Sequence, residues 1–245
     1  MENQLNLFSL TEQNLESSFD GKAKNLSTHE SKEDIKGDLH NTAVIQIKYG
    51  SLEEAKVAAL ICTKCALCKG RTNVVFSDGS VSSKIMIIGE GPGENEDLKG
   101  LPFVGRAGQL LDKIFASVDL NRKEHLYICN IVKCRPPNNR APLDEEASVC
   151  LEYLEAQIKY VDPKIIILAG AVAVKGILKL KDPKITKLRG KWIDDGKGLL
   201  SGRKFMPIFH PSYLLRHEWN KNPDSPKALM WQDIKEIKRV YESLS

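Results

Sequence analysis

No apolar run in this 245-residue chain reaches the ~20 residues needed to cross a bilayer. The N-terminus lacks the basic-then-apolar layout of a secretory leader, so the expected compartment is the cytoplasm. Internal repeats are absent, which sets aside solenoid architectures. The glycine-rich stretch Gly89–Gly93 fits neither Gly-x-Gly-x-x-Gly nor the Gly-Lys-Ser/Thr of a P-loop. Glu90 within it, with Glu94 and Glu96 just after, is also poorly suited to cradling phosphates. Large charge of one sign is missing too, the net being +4.

That small net hides an asymmetry. Residues 1–50 hold 5 Lys and Arg against 8 Asp and Glu, whereas residues 51–245 hold 31 against 24, a net of +7. A basic globular part behind an acidic tail suits a polyanionic partner, although a solvated lysine-rich surface has the same signature. Residues 9–42 are rich in Ser, Asn, Glu, Lys and Asp with no persistent apolar period. Such a segment cannot offset its ordering entropy and reads as a disordered linker. The expected division is a tail over 1–50 and one domain over 51–245.

Four short apolar runs read as buried parallel strands: Lys84–Gly89, Leu126–Val132, Lys164–Ala169 and Phe205–Phe209. Helical spacing recurs between them, at Ala107–Val118, Ala147–Ile158, Val172–Leu178 and Pro226–Tyr241. Alternation of this kind predicts an α/β fold, a three-layer α/β/α sandwich around a four-stranded parallel sheet. Ligands of such sheets bind beyond the carboxyl ends of the strands. The segments rich in functional side chains lie there. Gly89–Asp97 and Leu101–Gly105 follow the first strand, Asn130–Pro142 the second, and His210–Arg216 the fourth.

Six cysteines in a reducing compartment point to metal ligands or buried thiols rather than disulfides. Cys62-x-x-Cys65-x-x-Cys68 is followed by Cys129, Cys134 and Cys150. A Cys-x-x-Cys pair with two distant cysteines is a common four-thiolate site for an iron–sulfur cluster or for zinc. The fourth Cys before Pro of a bacterial ferredoxin run is missing, since Lys69-Gly70-Arg71 comes next. Cys129 falls inside a predicted core strand and reads as a small apolar residue.

Taken in order, Gly89–Asp97, Pro102–Gly108, Asn130–Pro142, Arg189-Gly190-Lys191-Trp192 and His210–Arg216 resemble the family 4 uracil-DNA glycosylases, the iron–sulfur type of bacteria and archaea. The resemblance covers roughly Ser51–Ser245. It implies hydrolysis of the N-glycosidic bond of a uracil flipped out of DNA, and a [4Fe-4S] cluster on Cys62, Cys65, Cys134 and Cys150, with Cys68 and Cys129 outside the ligand set. Phe103 would stack on the base, Asn130 would read its edge, and Glu96 would crowd a thymine methyl. Gly91 would line the pocket, and His210 would donate to the departing uracil anion. Related families carry Asp or Asn where this chain has Gly91, so Glu90 and Asn139 are the candidates for orienting the water. Ser212 and Arg216 belong to a loop, completed by Tyr213, Leu214 and Leu215, that presses into the minor groove. The rival reading is a non-catalytic iron–sulfur or zinc protein that binds nucleic acid on the same fold; a nearer one is a glycosylase also acting on hypoxanthine or xanthine. A monomer is expected. Finally, Gln4, Leu5, Leu7 and Phe8 resemble the peptide by which bacterial proteins dock on the replication sliding clamp.

Overall fold

A computed structural model describes residues 47–195, 198–217 and 222–244. The peptide at residues 4–8 and the linker at 9–42 lie outside them. The packed part is already under way at Tyr49, two residues before the expected boundary. Its ring stacks on Tyr153 at 5.6 Å, and its carbonyl accepts from the Tyr160 hydroxyl at 2.6 Å.

The four expected strands are present as β2 (Ile85–Gly89), β3 (Leu126–Asn130), β4 (Ile165–Ala169) and β6 (Arg203–Ile208), all parallel. Two further strands, β1 (Asp78–Gly79) and β5 (Ile193–Asp195), run antiparallel along the edges. The sheet therefore has six strands rather than four, in the order β1-β3-β2-β4-β6-β5. With two and three residues the edge strands are too short to show a period of two in sequence.

Each central strand alternates between two cores. Met86, Ile88, Tyr127, Cys129, Ile166 and Leu168 face one side, where they meet α1 (Leu52–Leu60), α4 (Asp144–Val161) and α5 (Ala171–Leu178). Ile85, Ile87, Leu126, Ile128, Ile165 and Ile167 face the other, against α3 (Arg106–Ala116), α7 (Pro211–Arg216) and α8 (Pro226–Glu242). Both faces being covered explains why the strands read as continuous apolar runs. Two shorter helices, α2 (Glu94–Lys99) and α6 (Ile185–Leu188), sit in connections.

Local chemistry sets the helix starts. The Ser51 hydroxyl accepts from the Glu54 N–H at 3.1 Å, and Ser225 caps Ala228 at 3.3 Å with Pro226 at the first helical position. Arg189 ion-pairs with the buried Asp233 of α8 and donates to the Leu229 carbonyl at 2.8 Å. The Arg189–Trp192 segment is thereby spent on joining α8 to the sheet. No helix among the described residues is long and apolar enough to cross a membrane.

Candidate active site

Strand register brings the expected residues together at the carboxyl end of the sheet. Gly89 and Asn130 are the last paired residues of β2 and β3. By alternation both point to the α3/α7/α8 face. A Cβ placed on Gly89 would lie 2.4 Å from the Asn130 Oδ1 and 2.6 Å from the Phe103 ring. Glycine is therefore required there by close approach, not by turn geometry. Asn130 is 2% exposed. The Phe103 ring lies 5.7 Å from the His210 imidazole, and Gly170, following β4, leaves room for the histidine.

Phe103 holds an unusual backbone conformation, φ +54°. A non-glycine residue stays there only when its surroundings enforce it. Arg122 does so, donating to the carbonyls of Pro102 and Phe103, each at 2.8 Å, while Asp78 and Asp112 hold its guanidinium. Gly108 lets the carbonyl in, since a Cβ at that position would fall 1.8 Å from the Phe103 oxygen. Glu96 contributes from the other side, its Oε1 accepting from the N–H groups of Val104 and Gly105 at 2.8 and 2.7 Å. That carboxylate shapes the Phe103 loop directly. Neither Arg122 nor the buried Asp97, which accepts from the Thr72 N–H at 2.9 Å, stands out in the sequence. Both act through backbone groups far along the chain.

His210 precedes α7 and caps it. Its Nδ1 accepts from the Ser212 N–H at 3.2 Å and lies 2.8 Å from the Ser212 hydroxyl. With Nδ1 engaged as an acceptor, the neutral ring carries its proton on Nε2. Burial, reinforced by the Arg216 charge and opposed by Glu96, lowers the imidazole to about 4, so it is neutral at neutral pH. Ser212 thus orients His210. The segment read as a wedge loop is a short helix, with Pro211 at its first position and Leu214 buried in the core. Arg216 is exposed, over the Tyr213 ring at 5.8 Å.

The water candidates separate. Glu90 directly follows Gly89, and burial raises its carboxyl above the usual range. Asn139 is exposed on a 3-10 turn, where its side chain accepts from Arg135 at 2.8 Å. Gly91 packs on Val132, a Cβ there falling 2.8 Å from the valine methyl.

The cysteines occupy the opposite face of the sheet. Cys62, Cys65, Cys68, Cys134 and Cys150 line one small cavity together with Arg71 and Tyr153. Arg71 donates to the Cys62 carbonyl at 2.6 Å and to the Cys134 sulfur at 3.3 Å, and the Lys133 N–H points at the Cys150 sulfur at 3.3 Å. Cys129 is fully buried in β3, as its position in a core strand predicted. No group of three or more His, Cys, Asp or Glu among the described residues is arranged to hold a metal ion.

The sequence model of the uracil DNA glycosylase superfamily matches residues 76–235. The type-4 uracil-DNA glycosylase of Thermotoga maritima is 46% identical over 177 residues, 72% of this chain and 88% of the relative. That of Sulfurisphaera tokodaii is 39% identical over 196 residues, 78% and 84% of the two chains. That of Archaeoglobus fulgidus is 40% identical over 171 residues, 67% and 83%. The chain belongs to the uracil DNA glycosylase superfamily, within its type-4 family.

Proposed function

We propose that this chain hydrolyses the N-glycosidic bond of uracil in DNA, leaving an abasic site. One observation carries the reading: Phe103 and Asn130 meet over Gly89 at the carboxyl end of the sheet, and a neutral His210 lies beside the Phe103 ring. The uracil bond is inaccessible inside the base stack, so the base must be flipped into that site. The Phe103 ring offers a stacking face. The Asn130 amide offers a donor and an acceptor to the base edge, where cytosine presents the opposite pattern to uracil. As the bond breaks, charge gathers on the departing base, and the His210 Nε2–H is a donor aimed at the developing anion. Glu90 orients the attacking water. An oxocarbenium-like sugar needs little nucleophilic push, so placement suffices. Glu96 limits the room beside the base by fixing Val104 and Gly105. Arg216 meets the phosphates or the minor groove, with Tyr213 and Leu215 beside it.

Cys62, Cys65, Cys134 and Cys150 hold a [4Fe-4S] cluster in this proposal. Four thiols around one cavity supply the donor set, and the N–H groups of Arg71 and Lys133 aimed at two of the sulfurs suit an anionic thiolate cluster. Zinc would use the same thiolates at ~2.3 Å each, and metal analysis with the visible spectrum distinguishes the two. The cluster's contribution is to pin the Cys62–Cys65 segment to the Cys134–Cys150 region; the reaction uses no step through it.

The test is release of free uracil from a uracil-containing oligonucleotide by the iron-loaded protein. Asn130→Ala is expected to lower kcat/KM by about 10²-fold or more, because a site built to hydrogen-bond its substrate loses that discrimination. DNA binding without any base release would move the protein to the non-catalytic alternative. Hypoxanthine and xanthine oligonucleotides in the same assay measure its breadth.

The enzyme is proposed to act as a cytoplasmic monomer. Residues 4–8 tether it to the sliding clamp, which would raise its effective concentration at copied DNA. Leu7→Ala with Phe8→Ala should abolish clamp pull-down while leaving uracil release intact. Unchanged capture would eliminate the tether.

A further inference from the structure

Lys133 is 1% exposed, one residue before Cys134, and the roles described above leave its side chain without a task. We propose that Lys133 is a positioning residue for base recognition: from the cysteine face of the sheet it fixes the direction in which Asn130 enters the pocket on the other face. This rests on the reading of Asn130 as the residue that meets uracil.

Asn130 is the last residue of β3, and the next two N–H groups, of Ile131 and Val132, still donate to the Gly89 and Glu90 carbonyls at 2.9 and 3.2 Å. The Asn130 carbonyl is taken up by the Lys133 Nζ at 2.7 Å. The same nitrogen donates to the Gln157 Oε1 at 2.6 Å and lies 5.9 Å from the Phe76 ring centre. Gln157 is fully buried and is itself anchored, its Nε2 donating to the Phe76 carbonyl at 2.9 Å and lying 3.2 Å from the Tyr127 hydroxyl oxygen. The lysine backbone is tied as well. Its N–H points at the Cys150 sulfur at 3.3 Å, and its carbonyl accepts from the Val75 N–H at 2.8 Å. An amine or an ammonium supplies both side-chain bonds, so the geometry does not depend on the protonation state.

Packing alone would be met by an apolar side chain at this depth. A polar chain buried here is stable only when all its members are satisfied, and such a network permits one arrangement where an apolar filler permits several. The arrangement it fixes is the carbonyl of Asn130. The N–H of the same peptide group, that of Ile131, donates to the Gly89 carbonyl at 2.9 Å, so the plane leaving Asn130 is held from both sides, and with it the backbone that carries the amide above Gly89.

The experiment compares Lys133→Met in the wild-type and Asn130→Ala backgrounds, using full-length, iron-loaded protein. The readouts are free-uracil affinity by calorimetry, kcat and KM, iron content and melting temperature. Lys133→Met should weaken uracil binding at least about tenfold, the scale of one lost buried hydrogen bond. In the Asn130→Ala background the further loss should stay below about twofold. Equal losses in both backgrounds, or unchanged binding in Lys133→Met, overturn the proposal. Unchanged binding in Asn130→Ala alone removes the base-reading role and this inference with it. Should Lys133→Met lose iron or fail to fold, Gln157→Leu tests the same chain. It frees one anchor of the Nζ and should weaken uracil binding about threefold in wild type alone; equal effects in the two backgrounds are then the overturning result.

Discussion

His210→Ala is expected to lower kcat by about 10²–10³-fold, or 3–4 kcal/mol, with a much smaller change in KM. The asymmetry follows from when the interaction forms. The Nε2–H meets little charge in the bound substrate and a nearly full charge as the base departs, so its loss falls on the transition state. An imidazolium would be a stronger donor, yet a neutral ring is what the surroundings enforce. Burial opposes the charged form, Arg216 adds to that, and the Ser212 N–H occupies the nitrogen that a second proton would need. The pH dependence then has a defined sign. The folded-state pKa is lowered from 6.5 to about 4, so the unfolded chain binds the proton first as pH falls. The stability that His210 contributes is fully present above pH 6.5 and is lost as pH drops to about 4. The melting temperature of wild type relative to His210→Ala should therefore fall across that window. A constant difference between pH 7 and pH 4 would show that the ring is not held neutral. Ser212→Ala should retain most of the turnover, since the backbone N–H still caps the ring.

The second large effect is expected from Cys134→Ala or Cys150→Ala, which should purify without iron, without the broad visible absorption of iron–thiolate centres, and mostly insoluble. Metal–thiolate binding is folding free energy, with apparent values of ~10–16 kcal/mol for structural zinc sites. A domain's whole stability is only about 5–15 kcal/mol, so losing such a site removes most of the margin. The location sharpens the expectation. Cys134 follows the strand that carries Asn130, and Cys150 sits on α4, so a cluster held by both would join a pocket strand to that helix. Two controls separate ligands from bystanders. Cys129→Ala should keep its iron and cost about 1 kcal/mol, the scale of trimming a small buried group. Cys68→Ser should also keep its iron, although Cys68 lines the same cavity. A soluble, fully active Cys134→Ala protein without iron would end the structural role assigned to the cluster; loss of iron in Cys68→Ser would replace Cys65 by Cys68 in the ligand set.

The four central strands are legible in the sequence because their apolar runs are buried on both faces, although β6 begins two residues before its run, with the half-buried Arg203 and Lys204. The order of functional segments is legible too, since each follows a strand. The edge strands are not. Helix α7 reads as a loop because Pro211 suggests a turn, although proline at a first helical position starts a helix equally well. Helix α1 carries a Ser51–Glu54 start signal, yet its exposed Val57, Leu60 and Ile61 blur the amphipathic stripe. Among the site residues, Phe103 lies against both Asn130 and His210, and the exposed Asn139 does not join them. Glu96 and Ser212 are near the site, but their hydrogen bonds go to the protein, one to the Phe103 loop and the other to His210. Arg122 and Lys133 are invisible beforehand because their partners lie on other segments or are backbone carbonyls. Residue type predicts neither.

The shortness of the two edge strands bears on how the protein would fail. A long, unpaired edge invites neighbouring chains to add strands. Here the outermost strands have two and three residues, and β5 has Asp194 and Asp195 in its sequence. Strand-on-strand growth therefore has almost no template. Cys134→Ala protein that fails to fold should precipitate as amorphous material, without the thioflavin response of ordered fibrils.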